Sequence, residues 1–513
     1  MKGNQRMRNK FMRKAAVAIA LSATAALALT SCAGGGTGGG DNGGGAASGD
    51  ERIQFAMMQP PKAALNPFSD DASKLSRLSI GEGLTALDEK IEVIPALATE
   101  WEQVDDLTWK FTLREGVKFH DGTDFTAEAV KNTLDKAAGA ETPPRVLNGV
   151  KITTEVTGDN EVTITTDVPD PLLLNRLGNP QLSILAASAY KEDGTITPIG
   201  TGTGPFVLTE TDDTTVATLD RFDDYWGDKA QIAGIDVAFV PDGAARAAAI
   251  RSGESDLAES IPVSQAVLLD ETQGIPVASP RTNYLTLNNE TGPFADPAVR
   301  AAARAAIDVD ALVENVYEGN ADPAIGLLGP SMEWAAGLRG DVDSKAAPAT
   351  VDGVAITLAT YTDRAENVEL AVQLQKQLED VGFVVTQDVR EYVNMEADML
   401  AGAFDAVIIS RGTLLDTGDP LSFMAADFTC EGGYNIAQAC DPAVDALVSA
   451  GLQTPAGPER QQATMDAEAA ILQLDMAVPL VHERVIWGDA GTFTGIIFDP
   501  LERRAIDQYT TAN

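Results

Sequence analysis

The sequence predicts an α/β protein divided into more than one lobe, and three observations predict it. The first is an alternation of strand and helix in the second half. Ala355 to Thr360 reads as a strand, and Glu366 to Asp380 as a helix with apolar Val368, Val372, Leu374 and Leu378. Gly382 stops that helix, Phe383 to Thr386 reads as the next strand, and the apolar run Phe404 to Ile409 follows. The second is strict period-two alternation in Thr108 to Arg114 and in Glu161 to Thr165, as in half-buried strands of a mixed sheet. The third is size, because about 460 residues follow the Gly-rich N-terminal stretch. That exceeds what one hydrophobic core usually organises.

The elements can be justified in chain order. Lys2, Arg6, Arg8, Lys10, Arg13 and Lys14 precede an apolar run from Ala15 to Leu29. A basic start before such a run predicts a secretory signal over residues 1–31. The run is short for a membrane span, which needs ~20 apolar residues. Leu29-Thr30-Ser31-Cys32 resembles the bacterial lipobox, so Cys32 is expected to be acylated and to become the mature N-terminus. Residues 32–50 are then the anchor and its tether, mostly Gly with small polar residues, a composition that behaves as flexible coil.

Helix boundaries are marked by capping signals. Thr126 is placed as an N-cap, with Phe125 and Val130 spaced for a hydrophobic staple and Glu128 in the first turn. Asp296-Pro297, Asp419-Pro420 and Asp441-Pro442 each set a capping carboxylate before a proline at the first helical position. The Ala-rich stretch Ala244 to Ser252 should stop at Gly253. Gly200-Thr201-Gly202-Thr203-Gly204-Pro205 lacks the phosphate-loop lysine and the dinucleotide spacing, and reads as a tight turn entering Phe206-Val207-Leu208.

Charge and reactive residues narrow the function. The chain has 37 Lys+Arg against 76 Asp+Glu; removing the signal takes the net charge from −39 to −45. Binding to nucleic acid or to an anionic membrane surface is disfavoured. Either the acidity attracts cationic solutes or it simply keeps the surface solvated. Cys430 and Cys440 lie ten residues apart with no histidine nearby; a disulfide is expected, a metal site being the rival. His120 and His482 are far apart in sequence, which argues against a nickel site, and no metal or other cofactor is expected. Neither Gly-x-Ser-x-Gly nor His-Glu-x-x-His occurs, so hydrolase chemistry, and enzymatic activity in general, is not expected.

A run of motifs resembles one family along nearly the whole mature chain. The densest block is Glu82-Gly83-Leu84 through Pro95-Ala96-Leu97-Ala98-Thr99-Glu100-Trp101 and on to Lys118-Phe119-His120-Asp121-Gly122. Gly202 to Phe206, Tyr225-Trp226, Ser252 to Asp256, Asp296 to Arg300 and Asp441 to Leu447 continue it. These residues resemble the extracytoplasmic solute-binding proteins of peptide and nickel ABC transporters. The resemblance implies a bilobal clamp of the periplasmic-binding-protein type, two mixed-sheet lobes joined by a hinge. Lobe I would be 51–285 with 483–513, carrying an inserted subdomain at 82–197, and lobe II would be 286–482. Tyr284 to Asn288 and Val478 to Val481 would cross between them.

The same resemblance implies ligand residues. Asp416, four residues before Pro420, matches the aspartate that pairs with a peptide's N-terminal ammonium. Thr413 stands where peptide-binding members usually have Trp, a departure that removes part of an aromatic wall. Tyr434 and Asn435 fall in the ligand-flanking loop, and Glu82 and Tyr284 are further candidates by position. The expected function is capture of a short peptide or similar small solute by a monomeric, lipid-anchored extracytoplasmic protein. It would deliver that solute to permease subunits coupled to a cytoplasmic ATPase. A nickel or metal-chelate binder, another non-peptide binder, a secreted hydrolase and a surface sensor are the alternatives.

Overall fold

The computed structural model describes residues 49–88, 91–212, 214–414, 417–499 and 502–513. The expected signal, Cys32, the tether up to residue 48, and Asp416 lie outside the described residues. Most of the expected local signals have become structural elements. The helix Ala127–Ala138 starts at Thr126, whose side chain accepts the Ala129 amide, and Phe125 and Val130 are both buried. Asp296, Asp419 and Asp441 accept the amides of Ala298, Leu421 and Ala443, each opening a helix on proline. Gly243–Ser252 is capped by Asp242 and ends at Gly253 in the left-handed region.

Among the described residues one large sheet carries eleven strands. At one edge Phe383–Arg390, Val354–Tyr361 and Ala406–Gly412 run parallel, with the helix Ala365–Asp380 linking the first two. Gly382 between helix and strand has φ +109°, and a Cβ there would meet the Val351 carbonyl at 2.3 Å. One expectation needs correcting: Val372 is 56% exposed, while Asn367, Leu370 and Ala371 are buried. The helix covers the sheet with one narrow stripe, and Val372 falls outside it.

Two long antiparallel strands, Gly274–Leu287 and Ala477–Asp489, come next. Beyond them lie Leu257–Ala258, Arg52–Met57, Gly234–Phe239, Val216–Arg221 and Phe206–Thr211. The long pair belongs to both halves. Thr282 to Leu287 lies beside Ala406–Gly412, whereas Gly488 and Asp489 pair with Leu257–Ala258. The expected crossing segments are paired here, Tyr284 with Pro479 and Leu285 with Val478. Register shifts between Ala278 and Thr282, where Pro280 has no amide to give the ladder. The outcome is the bilobal mixed α/β fold.

Each half has its own core. Ile53, Phe55, Phe206, Ile235 and Trp487 pack together on one side, and Leu285, Leu358, Leu374, Ile408 and Leu480 on the other. A separate four-stranded antiparallel sheet, in the order Ala98–Gln103, Thr108–Leu113, Glu161–Thr166, Ile152–Gly158, buries Phe111, Val130 and Ile164. Gly202 and Gly204 of the Gly-rich turn explain their own identity. A Cβ on either would lie 2.1 Å from the carbonyl of Ile80 or Ser79.

Candidate functional site

A cavity of about 1340 Å³, counting its open mouth, lies between the halves. Its walls come from the loop after Arg52–Met57, from the crossing strands, from the ends of Val354–Tyr361 and Ala406–Gly412, and from Arg145 and Tyr434.

The loop that enters from the first half is strapped by one buried carboxylate. Asp71 accepts the amides of Lys62, Ala63 and Leu65 at 3.0, 2.7 and 3.2 Å, and the Lys74 ammonium at 3.0 Å. These bonds hold Ala64 and Leu65 at φ +52° and +59°, a conformation side chains seldom adopt. The strap sets Lys62 and Asp70 at the cavity. Lys62 reaches across to Glu396 at 2.9 Å and sits 4.0 Å above the Tyr392 ring. Asp70 pairs with Arg145 at 2.8 Å. The Arg145 charge, joined by Lys62 and Arg411 and opposed by burial, holds the Asp70 carboxyl well below the usual carboxylate range.

The floor is a lattice of guanidiniums and carboxylates. Arg281 meets Glu502 with Nε at 2.8 Å and Nη2 at 2.6 Å. Arg77 joins the same carboxylate at 3.2 Å and reaches Glu259 at 2.8 Å. Burial pushes Glu502 up, but Arg281 and Arg77 outweigh it and bring its pKa down to about 2. Arg411 forms a forked pair with Asp427, both contacts at 2.9 Å, and its guanidinium lies 4.9 Å from the Tyr434 ring. Arg364 donates Nη1 to Glu483 at 2.8 Å, and Ser410 donates to the same oxygen at 2.9 Å. Aromatic rings complete the wall: Tyr392 meets Tyr361 edge-on and hydrogen-bonds through its hydroxyl to that of Tyr434.

The candidate residues fall in different places. Tyr434 borders the cavity. Tyr284 stands behind it, donating to Asp427 at 3.0 Å and thereby backing Arg411. Thr413 is buried and ties its segment to the Pro280 carbonyl through both hydroxyl and amide. Asn435 braces its own loop, donating to the carbonyls of Thr429 and Ala439. A disulfide joins Cys430 and Cys440 across that loop. Glu82 takes hydrogen bonds from Thr203, Tyr225 and Trp226, away from the cavity lining; burial raises its pKa. His120 donates Nε2–H to the Gly204 carbonyl, and His482 bonds Thr282 through Nδ1. Sequence reasoning missed Asp70, Arg145, Arg281 and Arg364. Arg411, Arg281 and Arg364 each stand two or three residues before a noted segment, at Thr413, Tyr284 and Glu366.

Residues 92–435 match the family model described as bacterial extracellular solute-binding proteins, family 5 Middle. Over 470 residues the chain is 29% identical to the glutathione-binding protein GsiB of Salmonella paratyphi A, covering 85% of this chain and 90% of that one. NikA from Staphylococcus aureus, solved in complex with Ni(L-His)2, superposes with a TM-score of 0.80 at 20% identity, covering 90% of this chain and 100% of the other. DppA from Helicobacter pylori, in complex with the peptide STSA, gives 0.79 at 21% identity, covering 90% and 98%. At such identities these structures speak for the fold.

Proposed function

Because the chain belongs to the bacterial extracellular solute-binding proteins, family 5, which serve ABC importers, we propose that its cavity encloses a short peptide carrying more than one carboxylate, with glutathione as the reference ligand. One observation supports this reading above the rest. The whole chain has about twice as many acids as bases, yet eight Lys or Arg side chains line the cavity against three acids, Asp70, Glu259 and Glu502. Cations stand in front and several of their carboxylate partners, Asp427 and Glu483 among them, stand behind. Planar guanidiniums fit carboxylates in pairs, and Arg364 has Nε and Nη2 to offer one. In this reading the peptide ammonium goes to Asp416 and its backbone runs past Tyr434. Binding, not chemistry, is the task. The lobes, 51–285 with 483–513 and 286–482, close by bending the two crossing strands. Acylated Cys32 tethers a monomer outside the cell, where it hands ligand to a permease.

Titration calorimetry with glutathione, its N-acetyl derivative and its diamide tests this. Glutathione should bind, and blocking both carboxylates should weaken it at least tenfold. Asp416→Asn should lose affinity for the free-amine form and keep that for the N-acetyl form. Equal binding of glutathione and its diamide would overturn the carboxylate reading, and equal losses in Asp416→Asn the amine role.

A further inference from the structure

A second cavity, about 920 Å³ counting its opening, has lining residues that follow closely in the chain on those of the first. It too lies between the four-stranded unit and the lobe facing it. Val150, Val168 and Pro169 face Ala425, Val448 and Leu452. A partition between the two is made by two short strips that meet. From one side comes the single turn Arg145–Leu147 and the following Asn148. From the other comes the loop Glu431 to Tyr434. Arg145 and Tyr434 border the first cavity and Asn148 and Glu431 the second, so two residues on each strip, Val146-Leu147 and Gly432-Gly433, lie between the two linings. The Arg145 guanidinium lies 5.9 Å from the Tyr434 ring, and a Cβ on Gly433 would stand 3.4 Å from Asn148 Nδ2. Arg176 braces the first strip by donating to the carbonyls of Val146 and Asn148.

We propose that this partition limits ligand length, and that the chamber behind it is a largely apolar extension which a longer peptide enters once the partition is thinned. The inference rests on the peptide reading above. The first cavity, with its eight cations, takes a peptide's carboxylates; the second sets Val150, Val168, Pro169, Val448 and Leu452 beside the Asp170–Arg176 pair, Glu431 and Asp445, a lining that suits an aliphatic residue without a free carboxylate. Tyr434 is the largest side chain in the facing loop strip, where Gly432 and Gly433 beside it carry none. A ligand extended past Arg145 and Tyr434 must displace that ring or stop.

The test is a length series of two to eight residues, each peptide carrying Glu near its N-terminus and ending in Leu amide, titrated against the full chain and three variants. The unaltered chain should show a sharp loss of affinity beyond a certain length. Tyr434→Ala should move that limit by two or more residues, favouring long over short peptides at least tenfold relative to the unaltered chain. Asn148→Ala thins the other strip and should shift the limit in the same direction, should Tyr434→Ala fold poorly. Adding Ser449→Trp, an exposed position on the rim of the second chamber, should cancel the gain. An unchanged length profile in both thinned variants, or a gain that survives Ser449→Trp, overturns the partition. Failure of every peptide of every length to bind the unaltered chain overturns the peptide reading instead.

Discussion

Asp71 shows how one side chain can shape a site it does not line. Its two oxygens hold three backbone amides and a buried ammonium, with no exposed surface of its own. Asp71→Ala should cost about 3 kcal/mol or more, because it strands Lys74 without its partner. It should also weaken ligand binding, since Lys62 and Asp70 lose their fixed approach. Urea midpoints and titration calorimetry on the same variant check both. Arg364→Ala should lower affinity for glutathione at least tenfold and leave the diamide nearly unaffected. These residues were hard to read beforehand for a physical reason. Arg77 and Glu502 meet across 425 positions, and Arg281 and Glu502 across 221. In the sequence they are two of many charges, and only folding makes them a floor. Tyr434, by contrast, is a candidate through the resemblance of its loop to the family's ligand-flanking loop, and it borders the cavity.

Helix starts were legible because their chemistry is local. A carboxylate before proline satisfies an orphan amide two positions on, whatever the rest of the chain does. Asp441→Ala should therefore cost about 1 kcal/mol, read from a denaturant midpoint, with ligand affinity unchanged. The crossing strands were harder. Their register depends on pairing Gly274–Leu287 with a partner about two hundred residues later, and apolar runs alone do not say which run lies beside which. Val372 marks the limit of periodicity as a guide. An apolar residue near the expected helical stripe still faces water when the packed stripe is narrow.

For the molecule as a whole, acidity of the medium is the sharpest lever. Burial brings the pKa of His120 and His482 down to about 4, below the ordinary 6.5. The unfolded chain therefore binds protons first as pH falls, and stability declines between about pH 6.5 and 4. His482 alone accounts for about 3 kcal/mol of that decline. Glu502 acts lower: its stabilisation is complete above its ordinary pKa and lost as pH falls from 4.5 towards 2. Urea unfolding followed from pH 7 to 3 should show the upper decline, and His482→Gln should flatten part of it. The eleven-stranded sheet has a further consequence, for the order in which the protein can be made. Ala477–Asp489 is the strand that joins the Leu257–Ala258 side to the Gly274–Leu287 side. A ribosome must therefore finish almost the entire chain before the two sides can be stitched together. Until then the nascent polypeptide lacks its central seam, and such distant closure is slow. The strand made nearly last is thus the one that locks the two sides together.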